Sequence, residues 1–141
     1  MLFKSLERYH DAGLLVLRIG IGIMFALHGY PKITGGPEKW TMIGGAIGFL
    51  GIHFAPVFWG FMAAVSEFCG GILLVVGFLF RPASVLLTIT MIVATSMHIG
   101  KGDTFGQYSH ALESAILFLS LFLIGPGKYS IDARLCGACK Q

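Results

Sequence analysis

Long apolar stretches, each about as long as a membrane is thick, dominate this sequence. A helix needs roughly 20 apolar residues to cross the hydrocarbon core of a bilayer, and four stretches approach or reach that length: residues 12–30, 55–80, 82–99 and 109–124. Hydrophobic residues make up 55% of the chain and charged residues only 12%, which is too little charge for a typical soluble domain. The sequence therefore predicts an all-α integral membrane protein, a single domain built as a four-transmembrane-helix bundle.

Proline and glycine residues lie at the starts of these stretches and between them. Pro56 and Pro82 stand where the second and third spans would begin, a position that tolerates the missing N–H of proline. Residues 38–54 hold an apolar part that is too short to cross, with glycines spaced closely enough for tight helix contact. We expect a short interfacial or re-entrant helix here, between the first and second spans.

Basic residues predict the orientation of the bundle. Four spans place both termini on one side, and that side carries six lysines and arginines whereas the opposite loops carry three, with Arg18 left out because it lies within a span. The first group is Lys4, Arg8, Arg81, Lys128, Arg134 and Lys140, and the second is Lys32, Lys39 and Lys101. Because basic loops stay in the cytoplasm, we expect cytoplasmic termini and a cytoplasmic tail over residues 128–141. The net charge of +3 is too small and dispersed to indicate a nucleic-acid partner.

Two charged residues lie inside the predicted spans. If the first span ends near Tyr30 and the second begins near Ala55, a rise of about 1.5 Å per residue puts Arg18 and Glu67 at a common depth of roughly 18 Å. A charge at mid-bilayer costs several kcal/mol unless it is paired or faces the bundle interior. We therefore expect an Arg18–Glu67 ion pair, whose role is either structural or functional.

Histidines collect near the opposite side of the predicted bundle. His28 ends the first span, His98 ends the third, and His110 begins the fourth. Glu113 follows His110 by three residues and so shares its helix face. We expect His98 and Glu113 to face inward, because lipid would penalise them.

Together with Glu67 and Arg18, these residues form a predicted column of ionisable groups. Such a column suits proton transfer to a bound quinone, a metal, or a haem held by two imidazoles. The plainer interpretation is that interfacial histidines are solvated, which we adopt for His10 and His53. The tail adds a C-x-x-C pair, Cys136 and Cys139, but two cysteines alone cannot complete a four-ligand zinc site. We assign no residue as a metal ligand.

Several of these patterns resemble the DoxX family of small bacterial membrane proteins. They are RIGIGIMFALHGYPK at 18–32, SEFCGGILLVVGFLFR at 66–81, the histidine that ends the third span, and GPGKYSIDARL at 125–135. The resemblance covers about residues 14–135 and implies a four-helix protein of the bacterial inner membrane. The family is named for a subunit associated with thiosulfate:quinone oxidoreduction, so the resemblance also implies a redox setting. The positions that match its polar pattern are Arg18, His28, Lys32, Glu67, Arg81, His98 and Glu113.

Three hypotheses about function follow. In the first, the chain is a membrane redox-associated subunit, a component of a quinone-linked oxidoreductase, with quinone favoured over haem or metal. Its catalytic residues would be Glu67, Glu113 and Arg18, and its cofactor-binding residues His28, His98, His110 and Lys32. In the second, it is a non-catalytic accessory subunit that anchors or stabilises a larger membrane complex. In the third, it is a small transporter. The expected partners are the lipid bilayer and either other membrane subunits or further copies of the chain.

Overall fold

The computed structural model describes residues 4–138, and over that range the chain is helical with no strand. Two 3-10 segments, Lys4–Tyr9 and Gly45–Leu50, accompany six α-helices. The α-helices are α1 (His10–Ile33), α2 (Gly36–Gly44), α3 (Pro56–Val76), α4 (Phe80–Gly100), α5 (Phe105–Ile124) and α6 (Ile131–Ala138).

Four segments are long and apolar enough to cross a membrane: Glu7–Ile33, Pro56–Val76, Phe80–Gly100 and Phe105–Ile124. The predicted all-α bundle of four spans is therefore confirmed, and α2 is the predicted short helix between the first two. One expectation about the first span is wrong, because α1 does not stop before Pro31 but includes it. Near the end of α1, the Lys32 carbonyl accepts a hydrogen bond from the indole N–H of Trp40.

The antiparallel helices define two ends of the bundle. The termini side holds the start of α1, the turn between α3 and α4, the end of α5, and α6. The loop side holds the end of α1, the 3-10 segment Gly45–Leu50 and the connection between α4 and α5.

Glycines bring α1 and α2 against α3. A Cβ on Gly29 would clash with the Phe68 nitrogen, and one on Gly22 would lie 2.6 Å from the Gly71 carbonyl. The contact continues along α2, where a Cβ on Gly60 would meet the Trp40 backbone. The helices α1 and α2 therefore run in succession along the whole of α3, from its end to its start.

The apolar core lies between α3, α4 and α5. Leu74, Phe80, Leu87, Phe118 and Leu121 are completely buried there. The first helix joins this core through Phe25, whose ring meets that of Phe118 edge-on at a centroid distance of 4.6 Å.

The segment after α5 folds back to close the termini side. The Asp132 carboxylate accepts hydrogen bonds from the backbone N–H groups of Leu79 and Phe80, at 3.0 and 2.9 Å. These are free donors at the start of α4, a position where a carboxylate is favourable because of the helix dipole. Asp132 thus caps α4 and fixes the beginning of α6 against the turn between α3 and α4.

Candidate functional site

A buried ion pair between α1 and α3 is the most distinctive polar feature of the bundle. Both carboxylate oxygens of Glu67 lie 2.6 Å from the Lys32 ammonium nitrogen. The Glu67 side chain is 3% exposed and the Lys32 side chain is 32% exposed. Of the two side chains, only that of Lys32 has appreciable accessible surface. A molecule outside the bundle can therefore contact the ion pair only through the lysine.

The pair lies far from both ends of α3. Glu67 is near the middle of this helix, which begins at Pro56 and ends at Val76. Lys32 reaches that depth because α1 ends beside the centre of α3, where Gly29 packs on the backbone of Glu67 and Phe68. A charge pair at this depth is desolvated on most sides, which makes its position costly unless both partners remain together.

Arg18 does not pair with Glu67, so the expected Arg18–Glu67 ion pair is wrong. Its guanidinium is buried, and it donates to the carbonyl oxygens of Pro126 at 2.6 Å and Tyr129 at 2.7 Å. The expectation failed because it set the end of the first span level with the start of the second, whereas α1 ends beside the centre of α3. The glycine contacts instead set Gly22 beside Gly71, which leaves Arg18 beside Gly77 at the termini side.

Two histidines meet across the gap between α1 and α5. The rings of His28 and His110 lie 6.1 Å apart between centroids, at an interplanar angle of 65°. Both side chains are exposed. On α1, His28 and Lys32 are four residues apart and so share one face. His28, Lys32, Glu67 and His110 are named the loop-side cluster below.

His98 lies apart from this cluster, at the end of α4. Its Nδ1 atom is 2.6 Å from a carboxylate oxygen of Asp103. The aspartate stands in the connection between α4 and α5, and sequence reasoning did not identify it. The spacing of five residues across the helix end was its only signal.

Glu113 is exposed on α5, so the expectation that it faces inward is wrong. Three ion pairs occur within the described residues, Lys32–Glu67, His98–Asp103 and Lys128–Asp11, and Glu113 belongs to none of them. The structure therefore brings together two pairs of the predicted site residues, Lys32 with Glu67 and His28 with His110. Arg18, His98 and Glu113 lie elsewhere.

Comparison with known proteins gives the relationship of this chain. The DoxX family model matches residues 13–99. This chain belongs to the DoxX family. An uncharacterized protein of Haemophilus influenzae is 34% identical over 137 residues, covering 93% of this chain and 96% of that protein. The inner membrane protein YqjF of Escherichia coli is 31% identical over 135 residues, covering 92% of this chain and 97% of that protein.

A further relative carries an activity in its name. The putative oxidoreductase CatD of Bacillus subtilis is 33% identical over 89 residues, which cover 63% of this chain and 61% of that protein. No solved structure matches the chain. Like its DoxX relatives named as inner membrane proteins, the chain is a membrane protein with four apolar helices.

In this DoxX protein, the loop-side cluster offers hydrogen-bond donors. No group of three or more His, Cys, Asp or Glu side chains that could hold a metal ion occurs between residues 4 and 138. Cys136 is exposed, while Cys139 lies outside the described residues. An ammonium has three N–H donors, and Glu67 can engage two of them, so Lys32 retains one for a further acceptor.

Proposed function

We propose that this DoxX protein is a redox-associated subunit of the bacterial inner membrane that binds a quinone at the loop-side cluster. The observation that carries the proposal is the Lys32–Glu67 pair, with its buried carboxylate and accessible ammonium in the middle of a membrane bundle. The name of the related putative oxidoreductase CatD supports the redox setting.

The donors of the cluster match the acceptors of a quinone ring. A quinone carbonyl oxygen accepts hydrogen bonds, and the remaining N–H of Lys32 can donate one. His28 stands one turn away on the same helix face, and its imidazole can donate or accept according to its protonation. The apolar surroundings of the bundle suit the remainder of a lipid-soluble ligand.

Proton handling falls to Glu67 and Lys32 in this proposal. Quinone reduction consumes two electrons and two protons and yields the quinol. The electrons are supplied by a partner redox protein, which this proposal includes by class. Lys32 can pass one proton to a quinone oxygen within hydrogen-bond distance, and Glu67 holds the Lys32 ammonium in place by accepting from it. Solvent at the exposed side of Lys32 returns that proton and supplies the second. His110 contributes to the cluster through its contact with His28. Arg18, His98 and Glu113 lie apart from the cluster and have no role in this proposal.

A binding experiment tests the proposal. The chain is purified in mild detergent, and the affinity for a short-chain ubiquinone or menaquinone analogue is measured by calorimetry. The double variant Lys32→Met/Glu67→Gln removes both charges together, so that no buried charge is left unpaired. We expect its affinity to fall about tenfold or more, because a hydrogen bond from a charged group contributes roughly 1.5–3 kcal/mol.

The matched control is Lys101→Met, which removes an exposed lysine at the end of α4. It should bind like the unmodified chain. Equal affinity in the double variant, or no binding by the unmodified chain, would overturn the proposal. Absence of binding, together with a stable complex with other subunits in the native membrane, would instead favour the alternative role of an accessory subunit.

A further inference from the structure

The termini side of the bundle carries a groove where the segment after α5 packs on the start of α4. The groove is lined by Leu79 and Arg81 around the start of α4 and by Pro126, Asp132 and Ala133 of the later segment. Its volume of about 330 Å³ is at the small end of ligand pockets, so it suits a compact group rather than a large ring system. These five residues define the α6 groove.

Arg81 gives the α6 groove a positive charge that no ion pair neutralises. The residue is exposed and belongs to none of the three ion pairs found among residues 4–138. The carboxylate of Asp132 is directed instead to the backbone N–H groups of Leu79 and Phe80. The guanidinium is therefore open to an anion from outside the bundle.

The position of Arg81 does not serve its own helix. It is the second residue of α4, at the end of the helix where the dipole favours anions rather than cations. Its side chain extends to the end of α5, where a Cβ on Gly125 would lie 3.5 Å from the Arg81 Nη2 atom. The negative end of the α5 dipole favours a cation there. The guanidinium thus lies beside the groove, and its planar fork matches two oxygens of a phosphate group.

The surroundings of the α6 groove are those of a membrane interface. Three of the four spans begin or end beside it, namely α3, α4 and α5, so the groove lies where the hydrocarbon core gives way to the headgroups. Ile131, Arg134 and Leu135 of α6 are all exposed, and their spacing of three and four residues puts them on one helix face. A short helix with exposed apolar residues and a cation is suited to the boundary between headgroups and acyl chains.

We infer that the α6 groove binds the phosphate of an anionic phospholipid, with Arg81 donating to two of its oxygens. The exposed apolar residues Leu79, Ile131 and Leu135 would lie against the acyl chains, which a free phosphate does not have. Arg81 and Arg134 favour a headgroup with net negative charge over a zwitterionic one, because the latter brings a cation of its own. This inference does not depend on quinone binding.

A lipid titration followed by native mass spectrometry tests the inference. The chain is purified in mild detergent and titrated with phosphatidylglycerol or with phosphatidylcholine of the same acyl chains. We expect phosphatidylglycerol to bind about tenfold more tightly or better, because each arginine near the membrane surface favours an anionic lipid. Arg81→Gln should lose most of this preference. Arg8→Gln is the matched control, since it removes an exposed arginine from the same side of the bundle but outside the groove, and it should keep the preference.

The two variants separate a specific site from a diffuse attraction of charges. Equal losses in Arg81→Gln and Arg8→Gln would overturn the inference, as would an unchanged preference in Arg81→Gln. Arg81→Lys retains the charge without the fork and should bind phosphatidylglycerol with intermediate affinity, whereas full affinity would contradict the contact with two oxygens. Glycerol phosphate carries the phosphate without acyl chains and should not displace the lipid at the same concentration. Displacement would show a site for free phosphate instead.

Discussion

At the scale of single residues, the Lys32–Glu67 pair makes a sharp prediction about stability. Lys32→Met removes the cation and leaves a carboxylate of 3% exposure without its partner. Such a loss costs about 3–5 kcal/mol for a buried pair, so we expect a clearly lower midpoint of thermal unfolding in detergent. The additional substitution Glu67→Gln removes the stranded charge and should restore most of that stability.

The control for this prediction is again Lys101→Met, since its side chain is exposed and belongs to none of the three ion pairs found in the described part of the chain. A single variant Lys32→Met as stable as the control would show that Glu67 is readily accommodated without a cation. In that case the ion pair would contribute little to the stability of the bundle.

The identity of the partner of Glu67 could not be predicted from the sequence. The composition of α3 indicated that this carboxylate needs a cation, and that part of the prediction is confirmed. The choice between Arg18 and Lys32 depended on the register of α1 against α3. That register is set by close contacts at Gly22 and Gly29, which a count of residues from the assumed span ends does not contain.

At the scale of helices, the contact between α1 and α3 depends on Gly29. A Cβ added there would clash with the backbone nitrogen of Phe68, so Gly29→Ala must force the helices apart. Overpacking of this kind costs typically about 1–3 kcal/mol, and we expect a lower unfolding midpoint. Gly20→Ala is the matched control on the same helix, because a Cβ there meets nothing within 4 Å. Equal effects of the two variants would refute the proposed role of the close contact.

The segment after α5 depends on Arg18. Its guanidinium donates to two carbonyl oxygens of that segment, a geometry that the single ammonium of lysine cannot reproduce. We expect Arg18→Lys to loosen this segment and to speed tryptic cleavage after the exposed residues Lys128 and Arg134. Arg8→Lys, at an exposed arginine near the start of the chain, is the control. Unchanged cleavage in Arg18→Lys would mean that Asp132 holds the segment without help.

The long apolar helices could be predicted from the sequence, whereas the docking of α6 could not. The four spans could be predicted because each apolar stretch approaches or reaches the length that a helix needs to cross a bilayer. Only the predicted ends of the spans differ from the observed ones. The docking of α6 was not predicted, because it rests on one carboxylate that caps α4 and one buried arginine from a distant helix. Neither interaction leaves a periodic signal in the sequence.

At the scale of the whole molecule, the polar groups divide between the two ends of the bundle. The termini side is closed by Arg18 and Asp132 through hydrogen bonds to backbone groups. Towards the loop side, the chain carries an ion pair with an accessible lysine and a pair of exposed histidines. The column of ionisable groups predicted from the sequence thus separates into a structural end and a candidate site, because its members are spread over four helices whose register only the packing reveals.

The orientation of this bundle in the membrane is the last prediction. The excess of lysine and arginine on the termini side, six against three, predicts that this side is cytoplasmic. In a background that retains only the native Cys136, which is exposed, a membrane-impermeant maleimide should label the chain only after the cells are permeabilised. A Lys101→Cys variant without the native cysteines should be labelled in intact bacteria whose outer membrane admits the reagent, because Lys101 is exposed on the loop side. The reverse pattern would place the loop-side cluster toward the cytoplasm, and the source of protons for any quinone chemistry would then lie on the opposite side of the membrane.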